Sequence, residues 1–321
     1  MDEPRDDKSS TVVNIAVDGD VILVVGPEKA KLRVLSLFLK AASKPFSAMF
    51  GPDWREGQNM INHDMPVELL LPEDNVGALK VICAVIHHQN NKVPRILAAG
   101  DVLSVAVAAD KYGCVDALKF ASADWLRPGK TEARDLMLLT AAAYLFQNTQ
   151  AFKEITRGLI LNHDGPYLAL SSEEVESAMT WRVFCLLEEQ RSFARLKLAE
   201  ILIAGINDGT GRCIHKCGWT SKYAYAYAYA YLKLLETRGL WPARLFHLSL
   251  SKAIDLAEKI PDPIPEESSI ACTYEYKHTA PEYRGGRHWS LDIWNNTLGL
   301  CLHCVRSGNT NSCCNHGSYS T

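Results

Sequence analysis

An apolar pattern with strand and helix periods lies between Gly19 and Gly57. Residues 21–25 are an uninterrupted β-branched and aliphatic run, Gly26-Pro27 marks a turn, and residues 32–35 form a second short run. Such a pair of runs around a Gly-Pro turn predicts a β-hairpin with a buried face.

Two short helices are predicted after this hairpin. Leu37 and Leu39 enter the first helix. Ser43 is a suitable N-cap for the second, and Pro45 then falls in the first turn, where proline is tolerated. The second helix carries apolar residues at helical spacing, namely Phe46, Met49 and Phe50.

The pattern continues with a strand and two amphipathic helices. Residues 67–71 form the strand, and Asp74 is placed to cap the helix that follows. Two adjacent histidines, His87 and His88, close that helix and are predicted to be solvated, since neighbouring residues on a helix point about 100° apart and make poor joint ligands. The apolar face of the first helix comprises Leu79, Ile82, Cys83 and Ile86, and that of the second Val102, Val105, Ala106 and Ala109.

The words GDVILVV, LKAASKPFSAMF and REG, in this order of elements, resemble the BTB/POZ domain, most closely the version common in filamentous fungi. The resemblance covers residues 11–126. In one departure, Leu35 stands where the family usually has a histidine that helps seat the first helix. The fold class implied is an α+β domain, a small sheet plus helices, with a mainly α-helical region after it.

The resemblance also implies partners. BTB domains form homodimers, so residues 12–17 are expected to add a leading strand that can cross to a partner subunit, and Leu37 and Leu39 are expected at the interface. Cullin-binding members use an apolar residue followed two positions later by glutamate in the loop after the second short helix. Here Trp54 and Glu56 match that triplet. The alternative is that Trp54 packs back on its own domain and that Glu56 is solvated.

After residue 126 the pattern becomes helical. Arg127 to Lys130 marks a boundary, because Pro-Gly halts a helix, and residues 131–260 are predicted to form a helical domain. Ser171 with Glu174 has the spacing of a capping box ahead of one long helix, at about 172–206, which carries Leu196 and Ile203 on its apolar face. The alternating Tyr-Ala tract at 223–231 is predicted to be helical, with some tyrosines buried and others exposed.

The chain is expected to end in three further segments. Residues 261–269 are a Pro-rich linker, 270–305 a small Cys-containing unit and 306–321 a loose tail, while residues 1–10 are expected to be a disordered tail. Cys213, His215 and Cys217 with Cys301 and Cys304 have the residue types of a structural zinc site. Two alternatives stay open: Cys313, Cys314 and His316 could complete a different ligand set, or all of these cysteines are reduced and unliganded.

Composition narrows the functional classes. The 321 residues carry a net charge of -3 without a Lys/Arg cluster, which gives nucleic-acid binding little support. The acidic start lacks a secretory signal pattern, and no stretch approaches the roughly 20 apolar residues that span a bilayer, so an intracellular location, cytoplasm or nucleus, is expected. There, ten cysteines indicate thiols or metal ligands rather than disulfides.

No catalytic motif is recognisable, neither a Gly-x-Ser-x-Gly elbow nor a P-loop nor His-Glu-x-x-His, so the protein is not expected to be an enzyme. The sequence leaves three non-enzymatic functions. These are a homodimerising interaction scaffold, a substrate adaptor of a cullin-type ubiquitin ligase, and a transcription-associated protein. The last lacks the support of a zinc-finger array or a basic region.

Overall fold

The computed structural model describes residues 12–55, 57–58, 65–127, 129, 132–208, 219–240, 242–263 and 283–308. The chain divides into two compact units. The first comprises Met1–Phe152 and Ser172–Thr180, and the second comprises Lys153–Ser171 and Trp181–Thr321. None of the helices in the described part of the chain is long and apolar enough to cross a membrane.

The first unit is an α+β structure, with strands near its N-terminal end and helices after them. The strands are β1 (Val13–Asn14), β2 (Val21–Val25), β3 (Ala30–Val34) and β4 (Val67–Leu71). The helices are α1 (Ser36–Ala42), α2 (Lys44–Met49), α3 (Val76–Ile86), α4 (Ala99–Lys111), α5 (Lys119–Trp125), α6 (Ala133–Leu145) and α8 (Glu173–Ala178), with the start of α7 (Thr149–Asn162).

The four strands form one sheet in the order β1-β3-β2-β4. β2 runs antiparallel to β3, with Val21 opposite Val34, and parallel to β4, with Val21 opposite Val67. Val21, Leu23 and Val25 are fully buried, as expected for an apolar strand in the middle of a sheet. The predicted hairpin and the strand after it are confirmed.

The leading strand is shorter than predicted. β1 has two residues and pairs parallel to β3, with Val13 opposite Leu32. The N–H of Ile15 donates to the carbonyl oxygen of Arg33 at 3.0 Å, and the Ile15 side chain is buried. The segment at 12–17 therefore supplies an edge to this sheet.

Helices with small residues complete the first unit. α4 packs against both α3 and α6, and α8 packs against α6. Ala106, Ala109 and Ala142 are fully buried, and residues this small let helices approach closely. Because α6 and α8 pack here, the first unit extends beyond the boundary predicted at residues 127–130.

Two predicted helix starts are wrong. The N-cap of α3 is Asn75, whose side chain accepts from the N–H of Ala78 at 2.9 Å. Asp74 instead accepts from Lys111. The predicted single helix at 172–206 is two helices. Ser172, and not Ser171, caps α8, and the chain becomes extended at Met179 (φ -140°) before the next helix begins.

The second unit is built from helices around α9 (Arg182–Asp208). The others are α10 (Trp219–Thr237), α11 (Pro242–Leu245), α12 (Leu250–Glu258), α13 (Arg284–Asn295) and α14 (Leu302–Ser307), with most of α7. The predicted apolar face of α9 is partly wrong, because Leu196 and Ile203 are exposed. The buried apolar side chains in that stretch are Ala194, Leu198, Ile201 and Leu202.

The Tyr-Ala tract lies on α10, and its predicted helical state is confirmed. Tyr227 and Tyr231 are fully buried with stacked rings 6.3 Å apart, whereas Tyr225 and Tyr229 are exposed. This division follows from helical spacing, since residues four apart share a face and residues two apart do not.

The described part of the predicted Cys-containing unit packs on the other helices of the second unit. α13 contacts α9 and α12, and the N–H of Leu300 donates to the Thr156 hydroxyl at 2.9 Å. Gly299 has a φ of 108°, and a side chain there would place its Cβ 2.4 Å from the carbonyl oxygen of Lys153. Residues 283–305 therefore have a shared core, although the sequence indicated little core of their own.

Candidate partner-binding surface

α1 presents one apolar side chain outward and buries another. Leu37 is 70% exposed, whereas Leu39 is fully buried in the core of the first unit. Ala41, one turn after Leu37, is also exposed on that face. Leu37 is thus available to a partner, and the prediction that Leu39 contacts a partner is wrong because its own unit encloses it.

Two side chains from distant parts of the first unit hold the N-terminal end of α1. Asp20 accepts from the Ser36 N–H at 2.7 Å and from the Ser36 hydroxyl at 2.6 Å. His87 accepts, through Nε2, from the N–H of Leu35 at 2.9 Å. Leu35 is the N-cap and offers no side-chain cap, so these two groups satisfy amides that would otherwise be unpaired.

His87 is held in its neutral form. Its Nδ1 lies 2.8 Å from the carbonyl oxygen of Cys83, so Nδ1 carries the proton and Nε2 accepts. Burial lowers the pKa of His87 below its usual value, and the neighbouring His88 adds to this, while the two backbone contacts and Asp20 oppose it. His87 is half-buried against the ring of Phe38, 5.3 Å away, which corrects the prediction that both histidines are solvated.

We expect stability to fall on acidification through His87. The pKa of His87 is lower in the folded chain than in the unfolded chain, so the unfolded chain binds more protons as the pH falls. The contribution of neutral His87 to stability is therefore complete above about pH 6.5 and is lost as the pH falls toward the folded pKa. The urea midpoint should therefore drop between about pH 7.5 and pH 5.5. His87→Gln should drop less over that interval, while His88→Gln, at the exposed neighbouring position, should behave like the wild type. Equal pH dependence in all three proteins would contradict this role.

α2 is fixed to the core by a hydrogen-bonded and stacked cluster. Ser43 caps it, accepting from the Phe46 N–H at 3.1 Å, and donates to the carbonyl oxygen of Tyr112 at 2.5 Å. The ring of Phe46 stacks on that of Tyr112 at 4.5 Å. The Tyr112 hydroxyl donates to Asp74 at 2.7 Å, and burial, followed by this carboxylate, raises the pKa of Tyr112.

The loop after α2 exposes an aromatic side chain. Trp54 is 53% exposed, and its N–H donates to the carbonyl oxygen of Gly51 at 3.3 Å. Gly57 closes the loop, since a Cβ on it would lie 1.9 Å from that same oxygen. About half of the Trp54 surface is therefore open to solvent, and the other half is covered by its own chain. Glu56, the other predicted cullin-binding residue, lies outside the described residues.

The predicted zinc ligands are only partly described. Cys301 is the N-cap of α14, and Cys304 is buried in the first turn of that helix. Cys213, His215 and Cys217 lie outside the described residues, as do Cys313, Cys314 and His316. Within the described ranges, no three Cys, His, Asp or Glu side chains are grouped so as to hold a metal ion.

Sequence reasoning missed the residues that position this surface. Asp20 and His87 act on α1 across 16 and 52 residues, respectively, and no local pattern reports such contacts. One signal was present: Leu35 replaces the histidine expected near α1, and a histidine from the end of α3 takes part in seating that helix.

A scan against models of known protein families gave no match, and neither did a search of curated proteins.

Proposed function

We propose that the first unit is a BTB/POZ-like interaction domain and that the protein is a non-enzymatic, homodimerising scaffold. The order of hairpin, two short helices, strand and two longer helices supports this. One observation carries it: Leu37 is 70% exposed on a helix whose start is fixed by Asp20 and His87. A single exposed leucine is common on protein surfaces, so Leu37 is a candidate because it is held in a fixed position on the helix where the BTB resemblance places the partner.

A second copy of the chain is the proposed partner. Burying one leucine contributes about 1.5–3 kcal/mol, and an isologous interface buries it twice. Val17 is 76% exposed and adds a further uncovered apolar side chain in the same unit. The net charge of -3 is small, so repulsion between two copies is weak.

Leu37→Glu tests the interface. The variant places a charge where the dimer would exclude water, so it should sediment as a monomer at concentrations where the wild type is dimeric. The control is Phe120→Glu, which changes a 91% exposed residue on α5 and should leave the dimer intact. A dimeric Leu37→Glu protein would exclude α1 from the interface.

A substrate adaptor of a cullin-type ubiquitin ligase is the second candidate function. The observation that favours it is the exposure of Trp54 in a loop closed by Gly57. Tryptophans are frequent among the residues that dominate binding energy at protein interfaces. The adaptor and scaffold functions are compatible, since they use different side chains.

We expect the full-length chain to bind the purified N-terminal region of a cullin if this second function holds. Trp54→Ala should then weaken binding at least tenfold, because truncating a dominant interface residue costs about 2 kcal/mol or more. Phe120→Ala serves as the matched control for loss of an exposed aromatic side chain. Titration calorimetry measures both. Undetectable binding, or equal affinity of wild type and Trp54→Ala, would end the adaptor proposal.

Structural zinc is a further proposal for the second unit. Cys301 and Cys304 stand three residues apart at the start of α14, where side chains share one side of the first turn. Metal analysis of purified full-length protein should find at least about half an equivalent of zinc. Changing both residues to serine should remove it, whereas Cys185→Ser, at an exposed position on α9, should not. Wild type without zinc would contradict the site.

A further inference from the structure

A cleft in the first unit has no assigned role. It lies between α4, α6 and α8 and the turn that precedes α3, and its volume is about 430 Å³. This is within the range of sites that take a small molecule or a side chain of a partner. The residues relevant to its chemistry are Glu73, Leu103, Val107, Lys111, Leu138 and Glu174.

The floor of the cleft is apolar. Leu103 is buried, Leu138 is half-buried and Val107 is 43% exposed. An exposed valine beside two leucines offers a surface on which an aliphatic chain can lose contact with water, which is favourable.

The rim of the cleft is acidic. Its one basic side chain, Lys111, already binds both carboxylate oxygens of Asp74, each at 2.9 Å, so its charge is compensated. Glu73 and Glu174 are exposed, and no ion pair joins either of them to another residue in the described part of the chain. The Ser172 hydroxyl, a neutral group, donates to the Glu174 carboxylate at 3.4 Å. The rim thus carries two carboxylates that have no ion-pair partner among the described residues.

An apolar floor beneath two carboxylates fits one kind of occupant, an aliphatic stem with a cationic head. Arginine and lysine side chains have this form, because they bury the stem and keep the charge at the surface. Arginine adds a planar fork of donors that matches carboxylates. We infer that this cleft binds an arginine or lysine side chain from a protein partner. The inference deepens the proposed scaffold function and rests on it for the partner being a protein.

The test uses the full-length chain and a fluorescently labelled peptide, Gly-Leu-Arg-Leu-Gly. The matched control peptide replaces arginine with citrulline, which has the same shape and no charge. Fluorescence anisotropy should show at least about tenfold tighter binding of the arginine peptide, as expected for hydrogen bonds between charged groups. Glu73→Gln and Glu174→Gln should each weaken it about fivefold or more. Glu173→Gln, one residue earlier on α8 and not in the cleft, should leave it unchanged.

Three results would overturn the inference. The first is equal binding of the citrulline peptide, and the second is unchanged binding by Glu73→Gln and Glu174→Gln. The third is displacement of the peptide by calcium at equimolar amounts, since the site would then be a cation site. The mass of each sample, measured in parallel, separates the cleft proposal from the dimer proposal. If the protein is dimeric and does not bind the peptide, only the cleft proposal is refuted. If the wild type is monomeric and binds the peptide, only the dimer proposal is refuted.

Discussion

Replacing Asp74 by alanine is expected to lower the free energy of unfolding of the first unit by about 3 kcal/mol. Its carboxylate is buried and joins the turn after β4 to the end of α4, accepting from Lys111 at 2.9 Å and from the Tyr112 hydroxyl at 2.7 Å. Lys111 is half-exposed and water can replace part of its pairing, but the Tyr112 hydroxyl would be left buried without a partner. The same change removes a support of α2, because the ring of Tyr112 stacks on Phe46.

Hydrogen exchange of the amides in β2 measures this effect, since exchange of a central strand reports unfolding of the whole unit. Tyr112→Phe should cost about 1 kcal/mol, as it removes one hydrogen bond and keeps the stacked ring. Glu73→Ala changes the adjacent, exposed carboxylate and should cost less than about 0.5 kcal/mol. If the β2 amides exchange at the same rate in Asp74→Ala as in Glu73→Ala, the buried cluster does not stabilise the first unit.

Arg191→Leu should destabilise the second unit by about 3 kcal/mol. The Arg191 side chain is 8% exposed, donates to the carbonyl oxygens of His163 and Gly165, and pairs with Glu188. Its guanidinium also lies 4.5 Å from the centre of the Tyr167 ring. Leucine would remove the Arg191 donor from both carbonyl oxygens, whereas the Glu188 carboxylate would keep its hydrogen bond from the Tyr167 N–H at 2.9 Å.

Exchange of the amides at 155–161 on α7, next to the turn that Arg191 holds, measures this second effect. Arg191→Lys should recover only part of the lost stability, because an ammonium group cannot reproduce the planar set of N–H donors of the guanidinium. Arg238→Leu, at an exposed position after α10, controls for the loss of a charge. Protection in Arg191→Leu equal to that in Arg238→Leu would show that the turn is held by other contacts.

The sequence predicted elements whose period is strong and missed contacts that are not local. The residues at 21–25 and the Tyr-Ala tract were assigned correctly because a run of β-branched residues and a continuing helical spacing each favour one structure. Asp74 and Asn75 are both good caps, so composition could not decide that Asn75 caps α3 while Asp74 binds Lys111.

The register of α9 was the larger error. Leu196 and Ile203 are apolar, yet both lie on its exposed face, because they follow the buried Leu187 by nine and sixteen residues, which is about half a turn away from it on a helix of 3.6 residues per turn. No glycine or proline marks the break between Ala178 and Arg182, so the pattern alone gave one continuous helix. For the candidate surface, Leu37 was predicted to face a partner and is exposed, whereas the burial of Leu39 depends on packing that the sequence does not encode locally.

The mass of the full-length protein in solution tests the central proposal most directly. One chain has a mass of 35.6 kDa. Sedimentation equilibrium at about 10 µM should give twice that mass, and dilution well below that concentration should bring dissociation. A mass of one chain at every concentration up to about 100 µM would contradict the homodimeric scaffold.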